Sequence, residues 1–205
     1  MKQDPFNSFY STLIRRLCDE DRQHKLTLQY AIWDFMKQFS VSAESSSSSS
    51  VQISPKRIMN LGRMCGEFVG HFELSLSFLK ICDMSWLSNT NCHLFLSTML
   101  LHLLSPQKTS QDRFEGCVGR LIENEGDDSP VIHGILVLFL KENLPIILSS
   151  LPSSKEEEEE NNNQDSISKS LKKRGKWMIK TLSKLKQRKE EENQNQDDDE
   201  DSIFI

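Results

Sequence analysis

The sequence predicts an all-α protein of stacked antiparallel helical hairpins, a HEAT-like α–α superhelix, followed by a disordered charged C-terminal tail. Apolar residues recur at helical spacing in successive segments up to about residue 150. Helix start signals precede several of these segments, and no segment alternates apolar and polar residues as a half-buried strand would. We therefore place the helical domain at residues 4–150 and the tail at residues 151–205.

The first helix is predicted to begin at Asp4-Pro5, an N-cap residue followed by a proline at the first helical position. Its apolar residues share one helical face: Phe6, Phe9, Tyr10, Leu13, Ile14 and Leu17. A second helix is expected over residues 22–38, with apolar residues on two sides, which is typical of a helix between two neighbours. The serine-rich stretch at 40–54 offers no packing surface and predicts a flexible loop.

The third helix is predicted to follow Ser54-Pro55, which repeats the start signal. Gly62, Gly66 and Gly70 then recur at intervals of four residues. Each glycine inside a helix costs about 1 kcal/mol relative to alanine. A row of glycines on one face therefore indicates that a neighbouring backbone packs closely there.

Four further helices are predicted, at residues 76–83, 91–104, 111–124 and 130–144, the last after the start signal Ser129-Pro130. The helix at 130–144 is apolar nearly all round, which is typical of a buried helix. The connections between these helices are mostly short, so consecutive helices are expected to be antiparallel neighbours.

Composition excludes several classes of protein. The five cysteines are widely spaced, without the pairs that zinc ligands or redox motifs need, which favours a reducing compartment. The N-terminus lacks the apolar core of a signal peptide. The longest apolar runs, at 94–104 and 135–140, are shorter than the roughly 20 residues that cross a bilayer, so no membrane span is expected.

Three segments carry a family resemblance: DPFNSFYSTLIRRLC, LTLQYAIWDFMKQF and RIMNLGRMCGEFVGHFELSLSFLKICDMSWL. They resemble the MI domain, also called the MA-three domain, and in particular the C-terminal domains of nucleolar MIF-four-G domain-containing proteins. The matching residues are Pro5, Phe9, Tyr10, Gln29, Trp33, Asp34, Phe35, Asn60, Leu61, Leu74, Ser75, Leu76, Leu79 and Lys80. The later segment GILVLFLKENL is similar to the final helix of that domain.

The resemblance implies a protein-interaction adaptor in nucleolar pre-rRNA processing and small ribosomal subunit biogenesis, with pre-ribosomal proteins or a DEAD-box RNA helicase as candidate partners. A pre-mRNA splicing scaffold of the same domain family is the alternative. The family domain normally begins with a further helical pair, which this sequence lacks. We therefore expect the apolar faces of the first two helices to be uncovered, which would favour a partner or self-association.

No catalytic or metal-binding motif is present: the sequence contains no glycine-rich phosphate loop, no HExxH and no GxSxG. We expect neither enzyme activity nor a cofactor. The resemblance makes Gln29, Trp33 and Asp34 candidate partner-binding residues. The residue types favour a structural alternative, in which Trp33 packs in the core and Asp34 accepts a hydrogen bond from a neighbouring helix end.

The tail contains a basic segment between acidic blocks at 156–160 and 197–201. Three interpretations are open for it: nuclear or nucleolar targeting with RNA contact, a basic amphipathic helix for membranes or calmodulin-like partners, and a solvated helix held by the flanking acids. The resemblance favours the first, in the nucleus and specifically the nucleolus. The candidate residues are Lys172, Lys173, Arg174, Lys176, Lys180, Lys184, Lys186, Arg188 and Lys189.

Overall fold

The computed structural model describes residues 6–41, 53–123, 129–149 and 166–185, and every regular element in these ranges is helical. The prediction of an all-α fold is therefore confirmed. The α-helices are α1 (Ser8–Glu20), α2 (Arg22–Val41), α3 (Pro55–Gly70), α4 (Thr90–Leu104), α5 (Gln111–Glu123), α6 (Ser129–Ser149) and α7 (166–185). Two 3₁₀ turns, Leu76–Ile81 and Met84–Leu87, replace the short helix predicted at 76–83.

Helices α3 and α4 pack most closely, as the glycine row predicts. A Cβ atom at Gly62 would lie 2.8 Å from the carbonyl oxygen of Phe95, and one at Gly66 would lie 2.7 Å from that of Met99. Both distances are shorter than real Cβ contacts, so only glycine lets the two backbones approach this closely. The interpretation of the row as close packing within the domain is confirmed.

The helix start signals were only partly correct. Ser54 caps α3 as predicted, its side chain accepting a hydrogen bond from the backbone N–H of Arg57. Helix α1 begins at Ser8 and not after Asp4-Pro5, because the side chain of Asn7 accepts a hydrogen bond from the N–H of Phe9 over 3.0 Å. Asparagine is as good an N-cap as aspartate, so two cap signals close in sequence compete.

Helix α6 is longer than predicted, since it continues through Pro145 to Ser149. The helix contains the apolar run at 135–140, then Lys141 and Glu142, and then a second apolar run at 144–148. By length and composition its stretch Val131–Leu148, with a mean hydropathy of 1.8, could cross a membrane, but half of that stretch is buried against the rest of the protein. A core helix of a globular domain has the same composition.

The prediction of a disordered tail over 151–205 is wrong for residues 166–185, which form α7. Leu171, Met178 and Leu182 are buried, and their spacing of seven and four residues places them on one face of the helix. That apolar face joins the core of the domain, which offsets the entropy lost on ordering the helix. The rest of the tail, and the serine-rich loop between residues 42 and 52, lie outside the described residues.

Helix α1 packs on the domain through its small and polar side. Ser11 and Cys18 are its buried residues, whereas Phe9, Tyr10, Leu13 and Leu17 are exposed. The expectation that the apolar face of this helix is uncovered is confirmed. On α2, which follows after Asp21 alone, Leu26 and Tyr30 are exposed in the same way.

Candidate nucleic-acid interface

The outward side of α7 is a continuous face of lysines. At about 100° per residue, these side chains fall within roughly 120° of the helix circumference. All of them are exposed, whereas the buried residues lie on the opposite side of the helix. They are Lys169, Lys172, Lys173, Lys176, Lys180 and Lys184. We call this set the lysine face.

Apolar contacts fix the inner side of α7 on the domain. The ring of Trp177 packs against that of Phe114 in α5, with 5.5 Å between the ring centroids. Gly175 lies against α6, where an added Cβ would approach both methyl groups of Leu144 to 2.8 Å. Together with Leu171, Met178 and Leu182, these contacts determine which way the lysine face points.

Arg174 is the one basic side chain of α7 that points inward, and it is 5% exposed. Its Nη1 donates to the carbonyl oxygen of Thr109 over 2.7 Å and to that of Leu104 over 3.4 Å. Its Nε donates to Oε1 of Gln111 over 2.9 Å. Burial lowers the pKa of the guanidinium, which stays charged at neutral pH because arginine titrates above about pH 12.

The structure thus changes the set of predicted nucleic-acid-binding residues. Arg174 does not belong to it, because its donors are used by backbone carbonyls and Gln111 in the interior. Lys186, Arg188 and Lys189 lie outside the described residues. Lys169 belongs to the same basic segment but was left out of the candidate residues, although its helical spacing from Lys172, Lys173 and Lys176 places it on the same face.

The charge pattern of the lysine face is unfavourable for the isolated helix. Within α7 there are seven basic residues and no acidic residue. Lys172, Lys176, Lys180 and Lys184 are successive i,i+4 neighbours, and each like-charged pair of this kind costs roughly 0.2–0.5 kcal/mol. A bound polyanion would relieve this repulsion, because its phosphates would neutralise the lysine charges.

A membrane or calmodulin-like role would need the opposite side of α7. Those partners bind the apolar side of a basic amphipathic helix. In the structure that side, with Leu171, Met178 and Leu182, is buried in the domain. The lysine face is the exposed side of α7, which favours a polyanion over an apolar partner.

Comparison with known proteins gives this geometry a context. Over 124 residues the chain is 25% identical to nucleolar MIF4G domain-containing protein 1 of Mus musculus. The chain is therefore similar in sequence to a part of that protein. The similar region covers 60% of this chain and 13% of the length of the mouse protein. No family model matches the chain, and no solved structure matches it.

Similarity to the mouse protein assigns no role to single residues. The structure does show what the predicted partner-binding residues Gln29, Trp33 and Asp34 contact. Trp33 is half-buried, and its indole Nε1 donates to the carbonyl oxygen of Phe78 over 2.7 Å. The ammonium of Lys80 lies 5.1 Å from the centroid of the Trp33 ring. Trp33 therefore joins α2 to the first 3₁₀ turn at the edge of the core.

Asp34 has a different position from the one predicted. Its side chain is 71% exposed and pairs with Lys37 one turn later, over 3.4 Å. The prediction that it accepts a hydrogen bond from a neighbouring helix end is wrong, since the residue lies on the solvent side of α2. Gln29, one turn before Trp33, is half-buried. Asp34 is thus the most accessible of the three candidates for a partner.

The cysteines are poor nucleophiles in this fold. All five are free and buried. Burial raises the pKa of Cys92 to about 12 and that of Cys117 to about 11, and it raises the pKa of Cys65 further still. A thiol in such surroundings stays protonated at neutral pH, and only the thiolate attacks a substrate or binds a metal.

His93 on α4 has a structural partner on α6. His93 lies 2.6 Å from Oδ1 of Asn143, whose Nδ2 donates to the carbonyl of Phe139. Because the amide nitrogen is already used, the imidazole Nε2 is the donor in the first of these bonds. The pair joins α4 to α6. Within the described ranges, no group of three or more His, Cys, Asp or Glu could hold a metal ion.

Proposed function

We propose that this chain is a non-enzymatic helical adaptor that binds RNA through the lysine face while its helical domain contacts protein. The observation that carries the proposal is the placement of the exposed lysines of α7 opposite a docked apolar side. The relative, whose name is that of a nucleolar protein, supports the nucleolus as the compartment.

A docked helix suits this task better than a flexible tail. Lysines on a free tail lose conformational freedom when they bind, whereas Lys172, Lys176 and Lys180 already project from one rigid surface. From Lys169 to Lys184 the face extends about 22 Å at 1.5 Å per residue. Since lysines contact phosphates and not base edges, binding is expected to be tight at low salt and independent of sequence.

The test is binding of the full chain to a labelled single-stranded RNA at several salt concentrations. Each phosphate contact contributes about 0.7 to the slope of log K against log salt. In the variant Lys172→Gln/Lys176→Gln/Lys180→Gln/Lys184→Gln we expect the slope to fall by about 3 and the affinity to fall on the order of 100-fold at 0.1 M salt.

The matched control replaces two exposed lysines elsewhere, Lys37→Gln on α2 and Lys141→Gln on α6, which change the net charge away from the lysine face. Its affinity should stay within about twofold of the wild type. The control removes two charges and the α7 variant four, so a loss of log K in the control that is half the loss in the α7 variant would show that only net charge matters. The same affinity in the α7 variant and the wild type would remove the lysine face as the site.

We further propose that the domain is of the MI type and acts in pre-rRNA processing for the small ribosomal subunit. Imaging and affinity purification of a tagged chain test this. We expect nucleolar signal and pre-ribosomal proteins, whereas spliceosomal proteins without pre-ribosomal ones would instead indicate a splicing scaffold. Substitutions in the lysine face are the suitable variants, because deleting α7 would also remove Leu171, Met178 and Leu182 from the core.

The protein-contacting part of the proposal rests on Asp34 and its neighbours. The resemblance implies a pre-ribosomal protein or a DEAD-box RNA helicase as the partner. Asp34 and Tyr30 are both exposed on α2, beside the half-buried Trp33. Loss of a copurifying protein in Asp34→Lys would support this edge as the contact.

A further inference from the structure

The outer face of α1 is an unusually exposed apolar surface. Phe9 and Tyr10 are 63% and 60% exposed, and Leu13 and Leu17 are each 44% exposed. On a helical projection these four lie within roughly 100°, on the side away from the buried Ser11 and Cys18.

The exposed face is a consequence of how α1 is attached. Its inner side holds Arg15, whose Nε lies 4.0 Å from the buried carboxylate of Glu73. Lys25 of α2 pairs with the same carboxylate over 3.0 Å. Arg15 therefore lies on the side of α1 that faces the domain, away from the apolar stripe.

The exposed apolar area suits a small interface. Aromatic side chains offer 150–250 Å² each, so the four residues expose roughly 400 Å² of mostly apolar surface. Two such faces with their polar rims would bury on the order of 1,000 Å², the lower limit for a specific protein–protein interface. We therefore expect a reversible association and not an obligate one.

The spacing on α1 is self-complementary. Phe9, Leu13 and Leu17 form a ridge at intervals of four residues. If a second copy packs antiparallel with its Leu13 against this Leu13, Phe9 of each copy lies beside Leu17 of the other. A large side chain then meets a smaller one at both ends. Ridges of this spacing pack on each other in the commonest helix-packing class.

The charges at the ends of α1 favour the same arrangement. Asp19 and Glu20 lie in its last turn, which contains no basic residue, and its first turn contains no acidic residue. Carboxylates are unfavourable at the C-terminal end of their own helix and favourable near a helix N-terminus. Antiparallel pairing brings Asp19 and Glu20 of each copy close to the start of the other α1, whereas parallel pairing would place acids beside acids.

We propose that two copies of this chain associate through antiparallel α1 helices, with the two Leu13 side chains in contact on the twofold axis. The proposal is independent of RNA binding, because α7 takes no part in it. The variant with four lysines of α7 replaced by glutamine should associate like the wild type.

Sedimentation of the full chain over a range of concentrations is the first test. We expect a monomer–dimer equilibrium with a dissociation constant on the order of micromolar. Leu13→Glu places two carboxylates against each other and should raise that constant at least tenfold. Met84→Glu, at a 53% exposed apolar residue far from α1 in sequence, is the matched control and should leave it unchanged. A wild type that stays monomeric up to about 100 μM, well above such a constant, would overturn the proposal.

Disulfide trapping under mild oxidation tests the direction of pairing. The native cysteines are all buried, so a cysteine introduced on the outer face is the accessible thiol. Leu13→Cys should form a covalent dimer with itself. A mixture of Phe9→Cys and Leu17→Cys chains should give the mixed dimer in excess over either self-linked dimer. Dominant linkage of Phe9→Cys to itself would indicate parallel helices and overturn the antiparallel model.

Discussion

Arg174 donates a hydrogen bond from Nη1 to the carbonyl oxygen of Thr109 over 2.7 Å, which joins α7 to the turn between α4 and α5. The same nitrogen reaches the carbonyl of Leu104, the last residue of α4, over 3.4 Å. One buried basic side chain therefore satisfies carbonyl groups that α4 and its following turn leave without helical partners. It also determines that the neighbouring lysines face outward.

Replacing Arg174 by lysine should loosen α7. A lysine has no planar group with several donors, so it cannot bond to Thr109 and Gln111 together as arginine does. We expect a loss of about 1–3 kcal/mol in the stability of the docked helix. Hydrogen exchange should show faster exchange in 166–185 with little change in α3 and α4. Lys176→Arg, an exposed basic substitution on the same helix, should leave the exchange of α7 unchanged, and equal effects of the two would contradict the role of Arg174.

We expect alanine to have opposite effects at Gly66, in the glycine row of α3, and at Gly119 on α5. In Gly66→Ala the new methyl group would lie 2.7 Å from the carbonyl oxygen of Met99, so α3 and α4 must separate. We expect a loss of about 1–3 kcal/mol in the free energy of unfolding. In Gly119→Ala no described atom outside the glycine's own helix lies within 4 Å of the new Cβ, and the higher helix propensity of alanine should stabilise the protein by up to about 1 kcal/mol. Urea denaturation measures both, and a stabilised Gly66→Ala would contradict the close packing.

The buried cysteines predict that the protein loses stability in alkali. Burial raises the pKa of Cys92 to about 12 and that of Cys117 to about 11 in the folded protein. In the unfolded chain a thiol has a pKa of about 8.5. Above that pH the unfolded chain releases protons that the folded protein keeps, so the free energy of unfolding falls as the pH rises.

The size of this effect can be checked by urea denaturation under reducing conditions. Each buried thiol should lower the free energy of unfolding by about 1 kcal/mol between pH 8.5 and pH 9.5. Cys65→Ala removes one such thiol, and its stability should decline less steeply over the same interval. A stability that is constant from pH 7 to pH 9.5 would show that the thiols are accessible to solvent.

Asp34→Lys should separate partner binding from folding. The carboxylate is 71% exposed and its described ion pair is with Lys37, so its loss should change the free energy of unfolding by less than about 0.5 kcal/mol. Trp33→Phe is the contrasting variant, because it removes the bond to the carbonyl of Phe78 and should cost about 1 kcal/mol. Strong destabilisation by Asp34→Lys would indicate a structural role for this side chain.

Local features of the fold were predictable because their physical causes are local. Ser54-Pro55 caps a helix by satisfying the N–H of Arg57, three residues later. The spacing of Gly62 and Gly66 predicted that another helix packs closely on α3, because glycines inside a helix cost stability that such packing offsets. Sequence alone could not choose between Asp4 and Asn7 as the first cap, because both residue types are equally suitable.

The lysine face of α7 and the apolar stripe of α1 are oriented by contacts between segments that are distant in sequence. In sequence Arg174 was one basic residue among several, and only its 2.7 Å bond to Thr109, sixty-five residues earlier, excludes it from the lysine face. The apolar stripe of α1 was predictable, but its direction was not, because Arg15 and Lys25 meet Glu73 only in the folded protein.

The sequence by itself determined which segments are helical, which residues share a helical face and where the basic residues are concentrated, since these depend on spacing along the chain. Only the tertiary structure decided that the apolar side of α7 is covered and that of α1 is open. The physical reason is that a helical face is buried or exposed according to what packs against it, and that neighbour lies elsewhere in the sequence or in another molecule.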